Sequence, residues 1–183
     1  MQDHTDEVLI RLYVEGDDNA LVVLTARYFD AIYRYCYRLV QDTAVTEDVV
    51  QDTFIKVWKS AKTFREGMVF KPWLYRIAHN TAIDFLRKKK MITFSNIGNQ
   101  EVIEEIFTDE SVNIMEETIA QEEKDTLTKK IESLPEHYKQ VLLLRAEEML
   151  TLEEISMTLQ KPLNTVKSLY RRALKKLGSD SNS

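Results

Sequence analysis

Apolar residues recur at helical spacing along most of the 183-residue chain. Between Ala20 and Val40 they return every three or four residues, which predicts one long helix with a buried face. Phe54 and Trp58 belong to the buried stripe of a second helix, for which Thr46 is the expected N-cap. Only four Gly and three Pro are available for turns. The pattern therefore predicts an all-α fold.

A basic amphipathic helix is predicted between Lys71 and Lys90. This stretch holds six Lys or Arg residues and a single acid, Asp84. Its apolar residues fall on one side of the helix at 100° per residue, and a polar set falls on the other. That polar set consists of Arg76, His79, Asn80, Arg87 and Lys90. A helix with such a face suits a polyanion, although an ordinary solvated face is the alternative.

The segment Phe64–Phe70 precedes this helix and mixes aromatic and apolar residues with Arg65 and Gly67. Nothing in the local sequence buries these side chains, so the segment is expected to be an exposed loop. Aromatic and Arg side chains in a loop beside a basic helix are suited to hold unstacked bases over a phosphate track. The pattern favours binding of single-stranded nucleic acid here.

The last third of the chain contains two candidate capping boxes, Ser133–Glu136 and Thr151–Glu154. The second is expected to open a short helix that ends near Leu159, and a turn follows at Gln160. Asn164 is the expected N-cap of the final helix. A short helix, a tight turn and a longer basic helix are typical of a helix-turn-helix.

The final helix has no acid from position 161 to 178 and holds six Lys or Arg residues there. Its polar face and the residues flanking that face are the candidate readers of duplex DNA. They are Asn164, Thr165, Lys167, Ser168, Arg171, Arg172 and Lys175. A helical hairpin used for protein contact is the alternative.

Charge is distributed unevenly, although the net charge is −5. Residues 91–125 carry one Lys and ten acids, whereas residues 1–90 and 126–183 have net charges of +1 and +3. Two small helical domains, 1–92 and 115–183, are therefore expected on either side of an acidic linker, 93–114.

No pattern supports catalysis, a metal or a cofactor. Asp48 and Asp52 form an exposed i, i+4 pair with no His nearby, which is usual for a solvated face. The three His residues are far apart in sequence, and the single Cys36 lies on an apolar face. Neither a signal peptide nor a membrane-spanning run is present, so a cytoplasmic protein without membrane insertion is expected.

Three ordered segments resemble the extracytoplasmic-function (ECF) sigma factors of bacterial RNA polymerase. The segments are DVVQDTFIKVWK, PWLYRIAHNTAIDFLRK, and the tail LP…VLLLR…LTLEEIS…NTVKSLYRRALKKL. The resemblance covers nearly the whole chain. It implies a transcription initiation factor, not an enzyme, whose second and fourth sigma regions bring core polymerase to a promoter and promote DNA melting.

The resemblance assigns roles to three sets of residues. The set Asp48, Gln51, Asp52 and Phe54 is similar to the segment that docks on the polymerase β′ clamp helices. The minus-ten element would be opened and held by Phe64, Arg65, Phe70, Arg76, Asn80 and Arg87. The minus-thirty-five element would be read by the final helix, at the seven residues from Asn164 to Lys175 named above. Further implied partners are the β flap and an anti-sigma factor, and the acidic linker would thread through the polymerase channel.

Some positions depart from the family pattern. Gln160 and Asn164 stand where Gly is common, Leu169 stands where Arg is common, and Lys71-Pro72 before the Trp is unusual. These departures bear on which promoter sequence the protein recognises and not on its assignment to this class of sigma factor. Two rival interpretations remain: a stand-alone helix-turn-helix regulator that binds duplex DNA without polymerase, and a helical adaptor that binds only proteins and shows no salt-dependent DNA binding.

Overall fold

The computed structural model describes the backbone of residues 4–96, 130–131 and 133–179, and the side chains of 4–89, 130–131 and 133–178. Within these ranges all regular structure is helical. The N-terminal unit contains α1 (Asp6–Val14), α2 (Asp18–Val40), α3 (Thr43–Ser60), a 3₁₀ turn (Ala61–Thr63) and α4 (Phe70–Asn96). The C-terminal unit contains α5 (Glu136–Leu142), a π-helical turn (Leu143–Glu147), α6 (Leu152–Leu159) and α7 (Leu163–Ser179).

The start of α3 differs from the sequence prediction. Asp42, not Thr46, is the N-cap, and its carboxylate accepts a hydrogen bond from the Val45 N–H at 3.2 Å. Thr46 lies one turn inside the helix, is fully buried, and donates its hydroxyl to the Asp42 carbonyl at 2.7 Å. Both residue types can cap, and the helix begins at Thr43, four residues earlier than an N-cap at Thr46 predicts.

The helix α4 is longer than predicted. It continues to Asn96, so residues 93–96 belong to a helix and not to the linker expected at 93–114. Asn113 and Glu116 match an N-cap with an acid three residues on and predict the start of a further helix. These residues and the rest of that linker lie outside the described residues. The domain ranges 1–92 and 115–183 therefore stay predictions, with the first helical unit ending no earlier than residue 96.

The first capping box of the C-terminal unit does not form. The Ser133 hydroxyl donates to the Lys130 carbonyl at 2.8 Å, and α5 begins at Glu136 with Pro135 as its N-cap. The sequence predicts a helix from this box to about Met149, but α5 ends at Leu142 and Leu143–Glu147 is a π-helical turn.

The second capping box, at the start of α6, is confirmed in both directions. The Glu154 N–H donates to the Thr151 hydroxyl at 3.1 Å, and the Thr151 N–H donates to the Glu154 carboxylate at 2.7 Å. The predicted end of α6 at Leu159 is also confirmed.

The turn between α6 and α7 places Gln160 in the left-handed region, at φ 52°. The backbone strain at Gln160 is offset by a local hydrogen bond, in which the Ser156 hydroxyl donates to the Lys161 carbonyl at 2.6 Å. The helix α7 starts at Leu163, so Asn164 is a first-turn residue and not the predicted N-cap.

The two units pack against each other through α4 and α6. Buried apolar residues of both units, among them Leu74 and Ala78 of α4 and Ile155 of α6, belong to one hydrophobic cluster. The buried Thr158 hydroxyl donates to the Pro72 carbonyl at 3.3 Å across this contact. The two units are thus in direct contact, and this arrangement is the closed state of the protein.

Candidate polymerase and nucleic-acid interfaces

The predicted polymerase-binding residues lie on α3, and three of the four are exposed. Asp48, Gln51 and Asp52 share one exposed face, where i, i+3 and i+4 spacing brings them together. Phe54 is 6% exposed and belongs to the core, stacked on Phe29 with ring centroids 6.1 Å apart. The Phe54 ring is therefore part of the core that packs α3 against α2, and it offers little surface to a partner.

Two exposed aromatic residues near this acidic face escaped the sequence prediction. Trp58, assigned to the buried stripe, is 40% exposed, and Phe29 on α2 is 46% exposed. Trp58 lies seven residues after Gln51, two helical turns further along the same side of α3. That spacing is the sequence signal that could have placed Trp58 on the same side of α3 as Gln51. Exposed aromatic residues beside carboxylates form a surface suited to a protein partner with basic residues.

The loop before α4 contains both buried and exposed residues. Phe70 is 1% exposed, packs against Tyr28 with centroids 5.6 Å apart, and donates its N–H to the Glu7 carboxylate at 3.0 Å. A stacking role for Phe70 on DNA is therefore wrong, because α1 and α2 enclose it. Phe64 is half-buried, with its ring 5.4 Å from that of Trp73.

The exposed residues of this loop surround a cavity of about 310 Å³. Arg65 and Val69 are exposed, and Gly67 has φ 83°, a conformation that favours glycine at the turn. The opposite wall is α1, which contributes Glu7 and Arg11. These α1 residues were not singled out from the sequence, since no local pattern indicates that α1 folds back against this loop.

The polar face of α4 is partly covered. Asn80 and Arg87 are exposed, and Arg76 is half-buried. His79 does not belong to this face: it is buried, and its Nδ1 lies 3.1 Å from the Tyr35 hydroxyl. Burial is the main cause that lowers the pKa of His79 to about 4, so it carries no charge toward a phosphate at neutral pH.

The final helix, α7, presents the predicted duplex-reading residues on its outer side. Five of them are exposed and two, Lys167 and Ser168, are half-buried. The exposed ones are Asn164, Thr165, Arg171, Arg172 and Lys175. Val166 and Ala173 are fully buried on the opposite side, against the rest of the C-terminal unit. The helix α7 therefore combines an anchored apolar side with an accessible basic side.

In the part of the chain that the structure describes, no group of three His, Cys, Asp or Glu residues is placed to hold a metal ion. None of the described helices is both long and apolar enough to cross a membrane.

Comparison with known families matches two parts of the chain. Residues 24–91 match sigma-70 region 2, and residues 124–177 match sigma-70 region 4. The first match spans most of the N-terminal unit, including the loop and the polar face of α4. The second contains the helix-turn-helix.

Individual relatives cover nearly the full length. The chain is 32% identical to the ECF RNA polymerase sigma factor SigW of Bacillus subtilis (strain 168) over 173 residues, which is 89% of each chain. It is 33% identical to the ECF RNA polymerase sigma-E factor of Escherichia coli (strain K12) over 178 residues, 92% of this chain and 90% of that one.

Solved structures agree on the fold. The structure resembles CnrH, solved in complex with the cytosolic domain of CnrY, with a TM-score of 0.70 and 22% identity over 97% of this chain and 99% of that one. It resembles the sigma factor RpoE of Bartonella quintana, solved with the anti-sigma factor NepR, with a TM-score of 0.63 and 20% identity over 85% and 92% of the two chains. The chain belongs to the sigma-70 family and is an ECF sigma factor, a transcription initiation factor that directs RNA polymerase to promoters.

Proposed function

We propose that the two units divide promoter recognition between them, with the N-terminal unit at the minus-ten element and the C-terminal unit at the minus-thirty-five element. The observation that carries this proposal is the presence of two separate accessible surfaces of matching chemistry. One is the loop 64–69 with the exposed Asn80 and Arg87 of α4, and the other is the outer side of α7. As a transcription initiation factor, the protein is proposed to act by binding core polymerase and promoter DNA and not as an enzyme.

The acidic face of α3 is the proposed docking surface for core polymerase, on its β′ clamp helices. Asp48 and Asp52 supply negative charge, and Gln51 supplies a donor and an acceptor. Trp58 adds exposed apolar area two helical turns along the same side of α3, and Phe29 of α2 adds more where its ring stacks on Phe54. A partner helix with basic residues would meet both chemistries, and charge complementarity would fix its orientation. The C-terminal unit is the proposed contact for the β flap.

The loop 64–69 is proposed to hold an unpaired base of the non-template strand. The cavity beside Arg65 is open on one side and bounded by α1 on the other. Arg65 is placed to stack on a base, while Arg76, Asn80 and Arg87 follow along α4 as contacts for the strand. Phe64 supports the loop through its contacts with Phe70 and Trp73.

The α7 helix is proposed to lie in the major groove at the minus-thirty-five element. Arg171 and Arg172 are exposed, and an Arg guanidinium can bind guanine with two hydrogen bonds. Asn164 and Thr165 lie in the first turn of α7, and recognition helices commonly contact base edges from that end. Lys167 and Lys175 suit phosphate contacts.

An anti-sigma factor is a further proposed partner. RpoE of Bartonella quintana, which shares the fold, was solved with the anti-sigma factor NepR. The cytoplasm is the proposed location, since a factor that binds core polymerase and the promoter has to be where both are present.

Run-off transcription with purified core polymerase on genomic fragments tests the proposal. We expect promoter-specific transcripts only when this protein is added, and their loss in the double variant Arg171→Ala/Arg172→Ala. Tight, specific duplex binding without core polymerase, and no transcripts with it, would favour a stand-alone regulator. An absence of any salt-dependent DNA binding, with or without core polymerase, would favour a protein-only adaptor.

A further inference from the structure

A buried carboxylate connects the two units. Glu148, which follows the π-helical turn, is 5% exposed. Its carboxylate accepts a hydrogen bond from the Tyr75 hydroxyl of α4. Its backbone carbonyl accepts a hydrogen bond from the Lys71 ammonium at 2.6 Å. One residue of the C-terminal unit thus makes two hydrogen bonds to the first turns of α4.

The chemistry of this contact makes it specific. A buried carboxylate is costly unless it is hydrogen-bonded, and Tyr75 is itself fully buried. The Lys71 ammonium lies 3.9 Å from the carboxylate and 5.7 Å from the centre of the Tyr75 ring, so it contributes charge to both groups. Burial raises the pKa of Glu148, and this effect outweighs the opposing effects of the Tyr75 hydrogen bond and the Lys71 charge.

A second ion pair lies beside the first. Arg38 of α2 lies 3.5 Å from the Glu147 carboxylate. Consecutive acids of the turn 147–148 therefore bind different helices of the N-terminal unit. Together with the Thr158–Pro72 hydrogen bond, these contacts set the position of the C-terminal unit on α4.

The closed arrangement limits how far apart the two DNA-binding surfaces can be. The backbone of Arg87 lies about 22 Å along α4 from Pro72 at 1.5 Å per residue. The backbone of Lys175 is at most about 36 Å from Thr158, counting an extended turn and then α7. Because Thr158 touches Pro72, the two surfaces lie within roughly 65 Å at the upper limit.

A promoter needs a wider separation. Elements named for positions minus ten and minus thirty-five have centres about 25 base pairs apart, which is about 85 Å of straight duplex at 3.4 Å per base pair. The closed protein therefore cannot centre both surfaces on their elements at the same time.

We propose that Glu148, held by Tyr75 and Lys71, latches the free protein in a closed state that has to open before core polymerase can place the two units on a promoter. This inference rests on the proposed division of the two promoter elements. Core polymerase then binds only the open fraction, so its apparent dissociation constant is the intrinsic one divided by that fraction. Weakening the latch raises the open fraction and tightens binding to core polymerase.

Three full-length proteins test the latch: the wild type, Glu148→Lys and Tyr75→Phe. Glu148→Lys places a second ammonium beside Lys71, and Tyr75→Phe removes only the hydroxyl. Glu153→Lys is the matched control, since it makes the same charge change at an exposed position of α6. We expect small-angle scattering to give a larger radius of gyration for both latch variants than for the wild type and the control.

Binding to core polymerase is the second measurement. The loss of one charge-assisted hydrogen bond predicts a roughly ten- to hundredfold higher ratio of open to closed protein. The apparent affinity for core polymerase should rise with that ratio until the protein is mostly open. Affinity for a duplex that carries only the minus-thirty-five element should stay unchanged, because the α7 surface is exposed in the closed state.

Equal radii in all four proteins, or a larger radius without tighter core binding, would overturn the latch. Tyr75→Phe decides the matter if Glu148→Lys unfolds, as judged by circular dichroism. The minus-thirty-five duplex separates this result from the proposed function: its specific binding by the wild type and all variants, combined with unchanged core affinity, removes the latch and leaves the assignment of α7 intact.

Discussion

The Tyr35 hydroxyl and the His79 Nδ1 lie 3.1 Å apart in the buried contact between α2 and α4. Burial, and to a lesser extent the nearby charge of Lys161, lowers the pKa of His79 to about 4. The imidazole is therefore neutral in the folded protein at pH 7, where it serves as a hydrogen-bonding core residue.

This buried imidazole predicts acid sensitivity. The unfolded chain binds a proton at His79 near pH 6.5, whereas the folded chain does so only near pH 4. The stability that depends on the neutral form is therefore complete above pH 6.5 and decreases as the pH falls. The expected loss at pH 5 is about 2 kcal/mol from this group. Glu148 acts in the opposite direction, because its raised pKa favours the folded protein as it becomes protonated.

Urea unfolding at pH 7.5 and pH 5, on the wild type and His79→Gln, measures this contribution. Glu148 is present in both proteins, so its effect cancels in the comparison. The wild type should lose about 2 kcal/mol more than the variant between the two pH values. Equal losses would mean that His79 takes up its proton within the folded state.

The two candidate capping boxes predict losses of stability of different size when the Thr or Ser side chain is truncated to Ala. Thr151→Ala removes the side-chain acceptor for the Glu154 N–H and should lower the free energy of unfolding by about 1–2 kcal/mol. Ser133→Ala removes a hydroxyl that donates to the Lys130 carbonyl and is not the N-cap of α5, and it should change the free energy of unfolding by less than about 0.5 kcal/mol. Chemical denaturation of both variants checks the pair, and a larger loss in Ser133→Ala would contradict the assignment.

Features that depend on neighbouring residues could be predicted from the sequence, and features that depend on distant contacts could not. The Thr151 box forms because both partners lie within one helical turn. Ser133 matches the same pattern, but α5 starts too late for it to act as a cap, with Pro135 in that position. The local sequence predicts Phe70 in an exposed loop and His79 on the polar face of α4, but both are buried. Tyr28 of α2 and Glu7 of α1 contact Phe70, and Tyr35 of α2 contacts His79. The Glu148 contact joins residues 73 positions apart, beyond the reach of any local pattern.

The left-handed turn at Gln160 predicts a stabilising substitution. A residue with a Cβ costs roughly 1–2 kcal/mol in this conformation, and Gly avoids that cost at the expense of about 0.5–1 kcal/mol of chain entropy. Gln160→Gly should therefore raise the free energy of unfolding by roughly 0.5–1 kcal/mol. Gln160→Ala keeps the Cβ and is the control, with little expected change. A gain in both variants would mean that the Gln side chain, and not the backbone, is unfavourable.

Charge reversal on α3 predicts a specific loss of polymerase binding. The double variant Asp48→Lys/Asp52→Lys should weaken the affinity for core polymerase by at least about tenfold, because a basic partner is then repelled. The effect should be larger at low salt, where screening is weaker. Glu15→Lys/Asp18→Lys makes the same charge change at exposed positions near the end of α1 and the start of α2. Unchanged binding in the α3 variant would make its acidic face an ordinary solvated surface.

The last prediction concerns the exposed part of the loop before α4. Replacing the whole segment would remove Phe70 and disturb the core, so the informative changes are Arg65→Ala and Val69→Ala, which alter only exposed residues. If Arg65 stacks on an unpaired base, its loss should cost about 1–3 kcal/mol of single-strand binding. Lys62→Ala is the matched control: it removes one exposed positive charge three residues away, outside the cavity lining.

Holoenzymes assembled with each variant can be compared on a single-stranded minus-ten oligonucleotide and on its duplex form. Arg65→Ala should reduce the preference for the single strand and slow open-complex formation more than it weakens promoter retention. A loss of stacking acts only after the base leaves the duplex, whereas a lost phosphate contact weakens both forms alike. Lys62→Ala should therefore lower both affinities together, or neither. Equal effects of Arg65→Ala and Lys62→Ala on the two forms would show that positive charge alone holds the strand and that the cavity receives no base.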